Sequence, residues 1–356
     1  MKKLALLIFF LWSSFIVFGQ APKFSNDFLN VGVGARGMAM GGAVSSTTNS
    51  INSGYWNPAG LVHVPVNFQV GAQHAEWFAG IGNYDYVAFG KKFDSEGKSF
   101  GALSLIRMGI DDIPNTLRLR APDGSIDYDR LSSFSVADYA MLISYGRKLG
   151  DGPWSLGVNA KVIHRAFGTF ASAWGFGIDA GILYRRDRLS FSLMGRDITT
   201  TYNAYKFSFS EEEKATLLLT GNDVPVSSVE YTLPKLITGF AYNWKLTSSL
   251  GFTTAMDIEF STNGTLTALI SSDKFVADPK FGFELDFKQK VFIRLGASNF
   301  QTILSDETPG KEEFSVQPSG GLGLKFGKIG LDYALTNIGN TGAGLYSHYF
   351  SLNLDF

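Results

Sequence analysis

The last eleven residues, Tyr346 to Phe356, restrict what this chain can fold into more than any other stretch. Tyr346, His348, Phe350, Leu352, Leu354 and Phe356 alternate with Ser347, Tyr349, Ser351, Asn353 and Asp355, and the chain stops on the aromatic. Successive side chains of a strand point to opposite faces, so a period of two gives one apolar and one polar face. A strand of this length, tilted by about 45°, reaches across the hydrocarbon core of a bilayer. It cannot cross alone, because its backbone groups need partners on both edges. A closed barrel is the arrangement that leaves no edge unpaired.

The other terminus implies export. Met1-Lys2-Lys3 is a basic start, Leu4 to Phe18 is an apolar run broken by Trp12-Ser-Ser14, and Val17-Phe18-Gly19 precedes polar Gln20 to Asn30. Residues 1–19 read as a secretory signal peptide cut after about Gly19. No other segment approaches the roughly 18 uninterrupted apolar residues of a membrane helix. The absence of cysteine rules out disulfides, a thiolate nucleophile, a Cys-ligated metal and the acylated cysteine of a lipoprotein, so membrane attachment must come from the fold. A net charge of -1 points away from nucleic acid. The 18% charged content, 40 glycines and 14% aromatic content suit tight turns, a crowded lumen and interfacial aromatic girdles.

Alternation from about Pro65 predicts an all-β, antiparallel transmembrane barrel of about fourteen strands, near 66–78, 82–93, 99–109, 134–148, 154–167, 173–185, 189–197, 234–246, 249–261, 280–287, 290–300, 316–326, 329–338 and 346–356. Every second join is tight: Asp94 to Gly97, Gly150 to Gly152, Arg186-Asp187, Thr247-Ser248, Lys288-Gln289 and Gly327-Lys328. The other joins include the long ones, 110–133, 198–233, 262–279 and 301–315, as periplasmic turns and extracellular loops would be arranged. The strands at 82–93 and 99–109 alternate poorly.

Charges keep to one face. Leu156, Val158, Ala160 and Val162 oppose Asn159, Lys161 and Arg165; Trp174, Phe176 and Ile178 oppose Asp179; Phe252, Met256 and Ile258 oppose Asp257 and Glu259; Phe283 and Leu285 oppose Glu284. The expected lumen holds Lys161, Arg165, Asp179, Arg196, Asp257, Glu259, Glu284 and Arg294, together with Asp138, Lys325 and Asp332. The tight turn near Lys288 to Lys290 sets Glu284 directly opposite Arg294.

Residues 20–64 lie outside the alternating pattern. They carry a glycine-rich run with Arg36, Gly37, Met38, Gly41 and Gly42, then Trp56-Asn57-Pro58-Ala59-Gly60-Leu61, where Asn57 is a fit N-cap and Pro58 a fit first helical residue. These two motifs, with Leu233 to Tyr242, resemble the PorV/PorQ family of Bacteroidetes within the wider FadL-like barrels. The resemblance implies a fourteen-stranded outer-membrane barrel over 65–356, with 20–64 folded inside as a plug. It further implies assembly by the barrel machinery that reads a terminal Phe, here Phe356, and partners from the type IX secretion system and its exported clients.

Catalytic constellations are weak. Gly32-x-Gly34-x-x-Gly37 fits a dinucleotide fingerprint only literally, since no βαβ unit surrounds it. His63, His74, His164 and His348 are too dispersed for a metal site, and no Ser/His/Asp set has support. Asp111-Asp112 reads as a solvated loop, and Ser210-Glu211-Glu212-Glu213 as the capping box of a short helix through Leu219, ahead of calcium or partner contact. The sequence is that of a non-enzyme without cofactor or metal. Two functions remain: binding of type IX components or clients by the loops, Ser210 to Glu213 included, or a FadL-like channel for hydrophobic compounds. A mixed-sign lumen favours the first, because a channel for apolar compounds needs an apolar pocket.

Overall fold

The computed structural model describes residues 25–119, 125–226, 228–262, 268, 270–272, 275–304, 310–338 and 346–356; the expected signal peptide lies outside them. The strands in chain order are β1 (Phe68–Trp77), β2 (Gly82–Lys92), β3 (Ser99–Asn115), β4 (Ser132–Lys148), β5 (Trp154–Phe167), β6 (Ala171–Arg186), β7 (Leu189–Arg196), β8 (Thr201–Phe207), β9 (Val229–Thr232), β10 (Lys235–Lys245), β11 (Leu250–Ser261), β12 (Ile270–Ser272), β13 (Phe275–Phe287), β14 (Val291–Leu304), β15 (Glu312–Phe326), β16 (Ile329–Thr336) and β17 (Ser347–Asp355). All pairings are antiparallel, and β1 pairs with both β2 and β17, which closes the sheet.

The wall counts fourteen strands. β7 and β8 both pair with β6 and are two parts of one wall strand; β10 and β9, which pair with β7 and β8, are two parts of the next. β12 is a short addition on β13. Among the described residues no helix is long and apolar enough to cross a membrane.

Alternation sorts the two faces as expected. Val158, Phe176 and Phe350 are half or more exposed on the outside, whereas Asn159, Lys161, Asp179 and Tyr349 are buried on the inside. An outer surface covered with Phe, Leu, Ile and Val far exceeds the apolar patches that soluble monomers expose, and is stable only against lipid. The poorly alternating strands have a physical reason: β2 and β3 turn Tyr84, Tyr86, Ala88, Phe100 and Ile106 inward, where they pack with Ile51, Tyr55 and Leu61 of the N-terminal segment. Their inner face is apolar as well as their outer one, which erases the period of two.

Residues 25–64 lie inside the ring. Their backbone approaches wall glycines on strands far apart around the barrel. A Cβ at Gly146 on β4 would meet Pro58 O, one at Gly282 on β13 would meet Met40 at 2.8 Å, and one at Gly321 on β15 would meet Ala39. A segment in contact with opposite arcs of a closed wall can only be inside it. Short helices Ala35–Ala39 and Ser53–Trp56 and 3-10 turns Asp27–Asn30 and Pro58–His63 make up its regular structure. Asn57 caps the second turn with Pro58 at its start, its side chain accepting from Ala59 N at 3.0 Å.

Two long joins are shorter than the sequence suggests. β3 and β4 run on above the wall to Asn115 and from Ser132, and much of 198–233 is taken up by β8, the helix Glu211–Leu219 and β9. The expected loops at 262–279 and 301–315 lie partly outside the described residues, and β13 and β14 extend into them.

Candidate lumenal site

Inside the barrel, on the long-loop side of the N-terminal segment, lies a cavity of about 750 Å³. Its floor is the segment: Asn30, Met38, Gly41, Gly42, Tyr55 and Trp56. Gly41 and Gly42, at φ 62° and 80°, take the chain through a tight reversal, and at Gly41 a side chain would strike the backbone of Ala297 at 2.8 Å. Trp56 is fixed by its indole N–H donating to Val33 O at 2.8 Å and lies beside Gly37, where a Cβ would meet the indole ring. Trp77, Phe78 and Tyr349 add further aromatic wall, and Ser298, Gln317, Ser319 and Thr336 line one bank with neutral polar groups.

The opposite bank is charged. Glu259 accepts from Lys235 at 2.7 Å and from Lys280 at 2.8 Å, and Asp257 accepts from Ser45 N at 2.9 Å. Arg196 stacks on the Tyr55 ring, 4.5 Å from its centroid, and donates to Tyr55 O at 3.2 Å. It makes no carboxylate ion pair among the described residues. A second hollow of about 210 Å³ adjoins this bank between Asn26, Arg196, Asp197 and Leu233.

The remaining expected lumen charges pair with each other beside the segment. Lys161 holds Asp179 at 2.8 Å and also Asp197, and Arg165 holds Asp138 at 2.7 Å. Glu284 faces Arg294 in register, bonded at 2.6 Å, while Arg36 reaches the same carboxylate at 2.8 Å and Arg294 also reaches Asp332 at 2.6 Å. Lys325 pairs with Asp355 at 3.0 Å. These ion pairs lie in the lumen, while above the segment a large cavity remains open, so the interior is not the fully closed one the sequence suggests.

Elsewhere the expected residues separate. Phe356 exchanges backbone hydrogen bonds with Phe68 across the closing seam, and Lys328 stands 5.7 Å from its ring. Asp112 sits at a bulge in β3 with φ 57°. Ser210 and Glu213 form the reciprocal capping box, and Glu212 and Glu213 receive Arg130 at 2.6 Å and Arg118 at 3.2 Å, so loops 110–133 and 198–233 are tied together. Burial works upward on the Glu213 carboxyl, but its bonds from Ser210 and the Arg118 charge hold it below the usual glutamate range. The four histidines stay apart: His63 is on the segment, His74 bonds Asp85, His164 stacks near Trp174 and His348 bonds Tyr333. Among the described residues no group of His, Asp and Glu has the arrangement of a metal site.

Sequence reasoning missed Lys235, Asp197 and the inward aromatics. Lys235 lies within the motif Leu233 to Tyr242, and the pair of positive φ values at Asp197 and Thr200 marks a break in a strand that reads as ending there.

The architecture is that of known structures. The chain matches the toluene transporter TodX of Pseudomonas putida with a TM-score of 0.57 at 13% identity, covering 90% of this chain and 96% of that one. The CymD monoaromatic hydrocarbon channel matches with 0.55 at 9% identity, covering 94% and 99%. A FadL homologue of Pseudomonas aeruginosa matches with 0.52 at 11%, covering 91% and 98%. The likeness is one of fold: a closed antiparallel barrel like those of these proteins. No protein-family model and no curated protein matches the sequence.

Proposed function

We propose that this protein is an outer-membrane channel that admits small, largely hydrophobic compounds into the cavity above its N-terminal segment, which acts as the plug. The cavity itself carries the reading: about 750 Å³ in volume, inside a closed wall, with an aromatic floor of Tyr55 and Trp56. Ligand sites of 300–1,000 Å³ lined by aromatics with a few fixed polar groups are the common form of small-molecule pocket. The solved structures of similar fold named above are transporters and channels for toluene and monoaromatic hydrocarbons, which agrees with this reading over the secretion role that the mixed-sign lumen favoured.

The test is uptake. Cells whose outer membrane carries the barrel should accumulate a labelled monoaromatic hydrocarbon faster than cells without it, and Ser298→Trp, which fills the cavity from β14, should remove the gain. Equal uptake by cells with and without a folded barrel refutes the proposal.

A second reading rests on a different observation. The ion pairs from Arg118 and Arg130 to Glu212 and Glu213 hold two outer loops as one unit, with Leu218 and Leu219 exposed on the helix. Under the PorV/PorQ resemblance that unit binds type IX components or exported clients. Shortening 208–228 should then abolish client retention on a folded barrel, and unchanged retention refutes it.

A further inference from the structure

The outer surface is apolar to unequal heights. On β11, Leu250, Phe252, Met256, Ile258 and Phe260 keep the lipid side greasy to the end of the strand, with Thr254 the one polar residue among them. On β1 the outward series Phe68, Val70, Ala72 ends at His74, and Glu76 follows. On β2, Phe89 and Val87 give way to Asp85 and Asn83, and on β3, Leu103 and Leu105 give way to Arg107. The three titratable groups lie in one row, since His74 faces Asp85 and Asp85 faces Arg107 in register. Asp85 binds His74 at 2.7 Å, while Arg107 reaches it at 3.5 Å and also bonds Tyr139 of β4, which leaves Glu76 as the charge of this patch without an ion pair among the described residues. Glu76 is exposed.

Glu76 and Arg107 stand at the same level, each eight residues beyond the first residue of its strand, Phe68 and Ser99. With about 3.3 Å of rise per residue and a strand tilt near 40°, that level is roughly 20 Å above the periplasmic rim. It falls within an apolar band about 25 Å tall, where a charge toward hydrocarbon is unfavourable. Charges at such a depth call for a partner of opposite sign.

We propose that the outer face of β1–β3 is a homodimer interface within the membrane. A two-fold axis parallel to the barrel axis and passing β2 sets β1 of each copy against β3 of the other. Glu76 of one copy then meets Arg107 of its partner, twice, and Asn83 lies beside Asn83 near the axis. The patch is self-complementary in charge, which an isologous contact requires and lipid tails cannot supply. Small, exposed Ala72 on β1 lets the walls approach, while Gly109 on β3 makes room for the Arg107 guanidinium, which lies 2.7 Å from where its Cβ would stand. The interface is independent of what the cavity binds.

The chain contains no cysteine, so one introduced thiol reports without background. Asn83→Cys in native membranes should give, on oxidation, a crosslinked species of twice the monomer mass, whereas Met256→Cys on the far wall should not. Adding Glu76→Arg should lower the crosslinked fraction at least tenfold, and the charge-swapped Glu76→Arg/Arg107→Glu pair should restore it. Heat-modifiable migration verifies that each variant is a folded barrel, and Glu76→Gln, expected to weaken the crosslink several-fold, replaces any Glu76→Arg chain that does not fold. No crosslink from Asn83→Cys, an adduct of another mass, equal crosslinking from Met256→Cys, indifference to Glu76 substitution or failure of the swap to restore the crosslink would each overturn the proposal.

Discussion

Replacing Arg294 by Met tests the lumenal network where its geometry is most fully defined. Arg294 and Glu284 are both buried, and the guanidinium bridges Glu284 and Asp332 at 2.6 Å each. Breaking a buried ion pair by deleting one partner costs about 3–5 kcal/mol, because a charge is left without compensation. Here the two carboxylates are not equivalent. Glu284 keeps Arg36, at 2.8 and 3.1 Å, whereas Asp332 loses its ion-pair partner. The loss should therefore fall at the lower end, about 3 kcal/mol, and should come mainly from Asp332. Adding Asp332→Asn should recover about 1–2 kcal/mol, since a neutral amide is far cheaper to leave half-satisfied. Adding Glu284→Gln should recover less, because it takes the carboxylate from Arg36. Urea unfolding of the barrel in lipid vesicles, followed by heat-modifiable migration, measures all three. With a slope of about 3 kcal/mol/M, the single change should move the midpoint by about 1 M. Equal midpoints for the single variant and both doubles would show that the charges do not interact as the distances require.

Deleting Phe356 removes the exchange of hydrogen bonds with Phe68 that closes the seam and should lower the amount of folded barrel in the membrane; unchanged levels on quantitative immunoblots contradict a terminal assembly signal. Gly41→Val forces a side chain into the β14 backbone at a left-handed φ and should destabilise the barrel by about 2–4 kcal/mol in the same urea assay, with Gly150→Val, in an open turn, as the milder control. The Glu213 carboxyl is depressed in the folded chain, so its contribution is present above its ordinary value and is lost as pH falls through the folded one. Loop cleavage by a protease active in acid should accordingly rise below about pH 4.5, and Glu213→Gln should raise cleavage at higher pH and flatten that rise, with the Glu212–Arg130 pair left in place.

The wall was legible because one physical rule writes it. A strand between lipid and lumen alternates, and Lys161, Asp179 and Asp257 land inside wherever the register is kept. Local rules served equally well: the Ser210/Glu213 box, the Asn57 cap with Pro58, and the turn that sets Glu284 against Arg294 are all encoded within a few residues. What failed to show was set by the segment inside the ring. Tyr84 and Phe100 face inward because Ile51 and Tyr55 await them there, which no pattern within β2 or β3 can reveal. The cavity was hidden for the same reason, since its floor at Tyr55 and Trp56 and its bank at Lys235, Glu259 and Lys280 meet only once the segment is placed. Counting charges along the lumen overstated closure, because most of them neutralise one another beside the segment.

Binding of a small aromatic hydrocarbon to the purified barrel tests the central claim most directly, with Trp56 on the cavity floor as the reporter. Saturable quenching of tryptophan fluorescence is expected in the native barrel and should be reduced in a folded Trp56→Phe variant to what Trp77 on the same cavity wall reports; binding followed by calorimetry should be abolished when Ser298→Trp fills the cavity. No binding, or binding that survives the filled cavity, would contradict the account.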